Sequence, residues 1–173
     1  MYLNLETERL RIRPIELSDA AFIFDLVNTE GWLTYIGDRN IFDTDAAEKY
    51  IQKIRDTPKY HYHVFELKDS GQAIGVVTFL HREDQQYPDI GFAMLPAFER
   101  KGYAHEASRA YIREILKSCH YKNIIAITLP ENRPSIGLLV KLGLSYQYAI
   151  SREHQTLSLF SLTPLPEGGI KTP

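Results

Sequence analysis

From Asp89 to Cys119 a short apolar run, a glycine-bearing polar turn and a long amphipathic stripe follow one another. Ile90-Gly91-Phe92-Ala93-Met94-Leu95 reads as one strand, and Pro96 stops it because proline has no N–H for a ladder. Glu99-Arg100-Lys101-Gly102 is the polar turn. Beyond it Ala104, Ala107, Ser108, Tyr111, Ile112, Ile115, Leu116 and Cys119 recur at helical spacing and make one buried stripe. His105, Glu106, Arg109, Arg113, Glu114 and Lys117 take the wet side. Strand, turn and helix are thereby fixed in that order.

Such a junction favours an anion. The first turn of a helix carries unpaired N–H groups and the positive end of the macrodipole. Glycine lets a phosphate come close to that backbone, and Arg100 and Lys101 add positive charge at the rim.

The flanking segments supply a sheet and its covering helices. Arg9-Leu10-Arg11-Ile12-Arg13 alternates strictly, as a strand with Leu10 and Ile12 inward. Ser18 or Asp19 caps a helix whose apolar side is Phe22, Ile23, Leu26 and Val27. Gly31–Gly37 reads as an aromatic linker holding Trp32 and Tyr35, and a second helix follows with Ala47, Tyr50, Ile51 and Ile54 inward. Tyr60–Leu67 and Gln72–His81 form a hairpin about Lys68-Asp69-Ser70-Gly71. Ile124–Leu129 is a short buried strand, and Pro134 opens a helix that Gly143 closes. Tyr146–Ser151 and Thr156–Leu162 make a last hairpin. The expectation is an α+β fold, a mixed and mostly antiparallel sheet with helices on both faces. It forms a single domain over residues 1–162, with a Pro/Gly-rich tail over 163–173.

Composition narrows the function. A chain of 173 residues with 44% apolar and 24% charged residues is long enough for a proper core. A net charge of −2 supplies no basic field for nucleic acid or an anionic membrane. One cysteine excludes an internal disulfide framework, and no apolar run reaches a membrane span. A cytoplasmic protein, monomer or homodimer, is the natural expectation. His61 and His63 share a strand face but lack a third ligand at a recognisable spacing, so aromatic packing is expected there and no metal. Cys119, ending the apolar stripe, reads as a small core residue.

Glu99-Arg100-Lys101-Gly102-Tyr103-Ala104 resembles the acetyl-CoA pyrophosphate loop of the GNAT superfamily of N-acetyltransferases, Q/R-x-x-G-x-G/A, with Glu99 in the place of Gln or Arg. Asn132-Arg-Pro-Ser135-Ile-Gly-Leu-Leu-Val-Lys-Leu-Gly143 resembles the second cofactor segment of that superfamily. Together with Thr7-Glu8-Arg9-Leu10-Arg11-Ile12-Arg13-Pro14 it is similar to the branch of the RimJ/RimL ribosomal-protein acetyltransferases.

The resemblance implies direct acetyl transfer from acetyl-CoA to a primary amine, either a protein N-terminus or a small metabolite. It also implies a pantetheine arm lying between two splayed parallel strands, here Asp89–Leu95 and Ile124–Leu129. Alternation puts Asp89, Gly91 and Ala93 on one face, where the small residues leave room for a reacting group. Asp89 then assists amine deprotonation through water. Backbone N–H groups of Phe92, Met94 and Leu95 are the expected donors to the arm. Asn132 stands as a polar anchor and Ser135 as the proton source for the departing sulfur. Many members carry a tyrosine seven positions after that asparagine, where this chain has Leu139; Tyr103 and Tyr146 are fallback acids. Trp32 and Tyr35 lie where the superfamily admits its acceptor. Two other readings stay open. Gly102–Ala107 has the outline of a degenerate dinucleotide turn. A non-catalytic acyl-CoA-binding module would equally carry Glu99 and Leu139.

Overall fold

A computed structural model describes residues 3–117, 121–152, 155–163 and 165. Its strands are β1 (Leu5–Glu6), β2 (Leu10–Pro14), β3 (Tyr60–Leu67), β4 (Ala73–Leu80), β5 (Asp89–Met94), β6 (Ile125–Thr128), β7 (Ser145–Arg152) and β8 (Gln155–Ser161). Its helices are α1 (Ala20–Val27), α2 (Glu30–Tyr35), α3 (Thr44–Arg55), α4 (Tyr103–Lys117) and α5 (Arg133–Lys141). The strands form one eight-stranded sheet in the order β1-β2-β3-β4-β5-β6-β8-β7. Every neighbouring pair is antiparallel except β5 and β6. This is the mixed α+β architecture expected from the sequence, with helices on both faces.

The period-two alternation of the central strands divides the core. Val64 of β3 and Val76 of β4 point to one face, where Ile23, Leu26, Val27, Trp32, Ala47, Ile51 and Ile54 of α1–α3 cover them. Phe65, Val77, Phe79 and Ile90 point to the other, under Ala107, Tyr111, Ile112 and Ile115 of α4 and Leu139 of α5. Burial of an aliphatic side chain such as Ile115 contributes about 1.5–3 kcal/mol, and the stripe repeats that gain along α4. The α4 stripe is thus the one read from the spacing, as far as Lys117. Cys119 lies outside the described residues.

Four local features differ from the sequence reading. Two residues, Leu5 and Glu6, add a short strand ahead of β2. The aromatic segment after α1 is a helix, because the Thr29 hydroxyl caps it by accepting the Trp32 N–H at 3.3 Å. Asp19 does not cap α1 with its side chain; its carboxylate takes a bidentate pair of bonds from Arg13 at 2.8 and 2.9 Å and closes the capping box of the short 3-10 turn Leu17–Asp19 by accepting the Glu16 N–H. Thr163 and Leu165 were expected to begin the tail. The Thr163 carbonyl accepts from Asn123, and the Leu165 N–H donates to Gln147, each at 3.0 Å. The remainder of that segment lies outside the described residues. Among the described residues no helix is long and apolar enough to cross a membrane.

Candidate active site

β5 and β6 run parallel but meet at a single register pair, Asp89 with Ile125. At that closed end the Ile125 N–H donates to the Pro88 carbonyl at 3.0 Å. Backbone parity then assigns the rest of β5. Pro88 faces β6, so Ile90, Phe92 and Met94 also turn their N–H and C=O groups toward β6. Leu95, of the other parity, donates its N–H to the Ile74 carbonyl at 2.9 Å. The backbone of Phe92 and Met94 therefore borders an opening between splayed strands, whereas the Leu95 N–H is engaged with β4 and does not face it. The slot opens along β6 beyond that pair, from Ala126 to Thr128.

The polar turn stands beyond the open end of β5. Pro96–Phe98 form a short 3-10 turn, after which Arg100 and Gly102 both adopt left-handed backbone, at φ +60° and +84°. With Lys101 between them not left-handed, the handedness alternates along the turn, the alternation from which anion nests are built. Helix α4 begins at Tyr103, and the first intrahelical bond at this end runs from the Glu106 N–H to the Gly102 carbonyl at 3.0 Å. The N–H groups of Tyr103, Ala104 and His105 have no acceptor within the helix. Of the two cations, Lys101 bends back to the Ala97 carbonyl at 3.0 Å, while Arg100 is exposed. Glu99 is exposed beside them.

Asp89 occupies the closed end and is 4% exposed. Its Oδ2 accepts from Arg82 Nε at 2.5 Å. Burial pushes its carboxyl above the ordinary value, against the opposing pull of Arg82, Arg152 and the Ile127 N–H. Arg152 pairs in turn with Asp84, so the turn before β5 is tied to β7. Across the sheet Tyr62 and Tyr50 hold their hydroxyls 3.5 Å apart, and burial raises the Tyr62 pKa well above its ordinary value. The space above Gly91 is not vacant as expected: a Cβ there would sit 2.6 Å from Thr78 Oγ1. The threonine hydroxyl fills the gap that the glycine leaves.

Asn132 and Ser135 stand at the other end of β6. Asn132 caps α5 by accepting the Ser135 N–H on Oδ1 at 3.1 Å. Its carbonyl is thereby occupied, while its amide N–H groups and the half-buried Ser135 hydroxyl remain to act. Phe92 and Met94 border the gap beside β6, and Asn132 and Ser135 lie past the far end of β6, at the start of α5. Asp89 stands apart from Ser135 by the length of β6. Leu139 is 1% exposed, part of the core rather than of any opening. Trp32 turns from α2 into the core, 5% exposed, with no hydrogen-bond partner for its indole N–H among the described residues; of the pair read as acceptor residues only Tyr35 reaches the surface. Tyr146 is exposed against Phe160 on β7, the edge strand.

Arg9, Arg82 and Thr78 were missed. Arg9 sits in an alternating strand pattern and Arg82 in the polar segment 82–88 ahead of β5, and neither pattern names a partner. Register would have found Thr78, which lies opposite Gly91 once β4 and β5 are aligned. His63 is buried, accepts the Leu3 N–H on Nε2 at 3.2 Å and packs edge-on to Tyr111. Among the described residues no group of three or more potential ligands could hold a metal ion.

Residues 9–145 match the family model described as Acetyltransferase (GNAT) domain. A Bacillus subtilis protein, the uncharacterized N-acetyltransferase YnaD, is 28% identical over 142 residues, 82% of this chain and 82% of that one. An acetyltransferase of the GNAT family from Bacillus anthracis superposes with a TM-score of 0.78 at 23% identity, over 93% of this chain and 97% of that one. Ribosomal-protein-S5-alanine acetyltransferase from Vibrio fischeri does so with a TM-score of 0.77 at 19% identity, over 98% and 100%.

Proposed function

The chain belongs to the GNAT acetyltransferase family, and on that premise we propose that it transfers the acetyl group of acetyl-CoA directly to a primary amine. One observation carries the reading: β5 and β6 pair at Asp89–Ile125 alone, and a turn with left-handed Arg100 and Gly102 leads from the end of β5 into α4. Acetyl-CoA combines a polyanionic head, a long amide-bearing arm and an activated thioester. The turn from Arg100 through Ala104 holds the phosphates with backbone N–H groups. The Phe92 and Met94 backbone meets the amide arm as a missing strand would.

At the closed end Asp89 orients a water that takes the amine proton and stabilises the positive charge that grows as nitrogen attacks. Burial favours this role, since a raised pKa brings the carboxylate nearer the amine's own. A C–N bond forms as the C–S bond breaks, and the departing thiolate takes its proton from solvent or, relayed by water along the slot, from the Ser135 hydroxyl at the other end of β6. Asn132 directs an amide N–H at the arm. Tyr35 meets the acceptor, and Trp32 anchors α2 beneath it.

The N-terminal Thr7–Pro14 motif and the fold shared with an S5-alanine acetyltransferase support a peptide α-amine as acceptor, the RimJ/RimL type. A small-molecule amine is the second candidate, favoured by the net charge of −2, which offers nothing to a ribosome's phosphates. The rival function, a binding module without turnover, draws on the burial of Leu139, an apolar residue at the position where the resemblance implies an acidic hydroxyl. Thiol release from acetyl-CoA, measured against a panel of N-terminal peptides and small amines, decides between them. Amine-dependent release supports transfer, and tight CoA binding without release on any amine supports the module.

A further inference from the structure

Arg9 lies just ahead of β2, yet its contacts are with the start of α4. Its Nε donates to Glu106 Oε2 at 2.7 Å, and its Nη2 approaches the same oxygen at 2.6 Å. Its backbone N–H donates to Glu106 Oε1 at 2.9 Å, where the Thr7 hydroxyl also donates at 2.6 Å. Burial works against the Glu106 carboxylate, but these donors outweigh it and hold its pKa below the ordinary value. The third arm of the guanidinium matters most. Arg9 Nη1 donates to the Lys101 carbonyl at 3.0 Å, and the guanidinium carbon sits 4.4 Å from the Tyr103 ring centroid.

A trans peptide unit points its C=O and its N–H in opposite directions. Holding the Lys101 carbonyl therefore fixes where the Gly102 N–H aims, which is away from Arg9 and into the nest. The guanidinium lies so near that a Cβ on residue 102 would be 3.4 Å from Nη2. Glu106 by itself is an unfavourable neighbour for a phosphate, being a carboxylate in the first turn of α4. Its four donated or ionic contacts convert it into the anchor that keeps Arg9 in place.

We infer that Arg9 is a positioning residue for the coenzyme's phosphates: with Thr7 and Glu106 it presets the Lys101–Gly102 peptide so that the turn receives the anion without rearranging. The inference rests on the acetyl-CoA reading of the turn. It assigns a task to the Thr7-Glu8-Arg9 segment, which lies 92 residues or more from the groups it holds.

The test is calorimetric titration of CoA into the wild type, Arg9→Ala, Arg9→Lys, Glu106→Gln and Arg13→Ala, with steady-state kinetics once an acceptor is known. Arg9→Ala should bind CoA about ten-fold or more weakly, the span for losing a charge-assisted hydrogen bond. KM for acetyl-CoA should rise while kcat at saturation and KM for the acceptor stay close to wild type. Arg9→Lys should fail to rescue, because one ammonium cannot serve both Glu106 and the Lys101 carbonyl with a planar fork. Glu106→Gln separates the accounts by sign. As an anchor, its loss weakens CoA binding; as a mere negative charge beside phosphate, its loss tightens it. Arg13→Ala breaks a different ion-pair group, on β2 itself, with Asp19 and Glu66, and should leave CoA affinity unchanged. Wild-type binding with an unaltered Arg9→Ala affinity, or tighter binding by Glu106→Gln, overturns the inference. Failure of the wild type to bind CoA would instead remove the acetyl-CoA reading. Should Arg9→Ala not fold, Glu106→Gln and Arg9→Lys carry the decision.

Discussion

Arg82 Nε donates to Asp89 Oδ2 at 2.5 Å at the point where β5 and β6 separate. The carboxylate is therefore a buried, ion-paired group rather than a solvated strand end, and it stands on the face that carries Gly91 and Ala93. Asp89→Asn should lower turnover by about 10²–10⁴, the range for loss of a general base. The same variant should melt earlier than wild type, because Arg82 loses its partner, yet keep its stabilisation by CoA, whose phosphates bind at the other end. Full turnover in Asp89→Asn would hand deprotonation to solvent.

Gly102 sits at φ +84° with Arg9 close to its Cα. A β-branched side chain cannot adopt that backbone without a cost of about 1–2 kcal/mol, and it would push the Arg9 fork off the Lys101 carbonyl. Gly102→Val should stay folded and lose its calorimetric response to CoA. Wild-type affinity in that variant would move the phosphate site elsewhere.

The local half of this site was legible in the sequence. The β5 alternation, the proline stop, the glycine turn and the α4 stripe all follow from neighbours a few residues apart, where periodicity and backbone chemistry act. Arg9–Glu106 was not, because an alternating strand and an amphipathic helix each specify a face but no partner. The same limit applies to Arg82–Asp89, and to β8 rather than β7 lying against β6. A hairpin pattern fixes the turn and leaves open which arm joins the sheet. Trp32 was misread because a short helix capped by one threonine hydroxyl has too few residues to show a period.

Acid should destabilise the fold through His63. Burial pushes its pKa down to about 3, and that of His61 to about 4, against an unfolded value near 6.5. Above that value both folded and unfolded histidines are neutral, and the groups contribute nothing to the pH dependence. As pH falls below it the unfolded chain takes up protons that the native one refuses, so stability declines down to the folded values. Buried His63 alone should cost about 2 kcal/mol at pH 5. Urea melts at pH 7.5 and pH 5 should therefore differ less for His63→Gln than for the wild type. An equal difference would mean that His63 is charged in the native state.

Placing at position 139 the tyrosine that the resemblance to the superfamily implies there should not supply an acid. Leu139 is packed in the core under α5, and the added ring and hydroxyl would overfill the site at a cost of about 1–3 kcal/mol. Leu139→Tyr is expected to lower the melting temperature with no gain in thiol release. A faster enzyme would show that this position reaches the slot.

The central claim is that the splayed strands and the turn beyond them hold acetyl-CoA. A thermal melt with and without the coenzyme tests it most directly. Ligand at about one hundred times its dissociation constant adds about 2.7 kcal/mol to folding stability. For a chain of 173 residues that is a rise of about 5–10 °C in Tm. The account predicts that rise with acetyl-CoA and with CoA in the wild type, and its loss in Gly102→Val. An unchanged melting temperature at millimolar acetyl-CoA and CoA would contradict it.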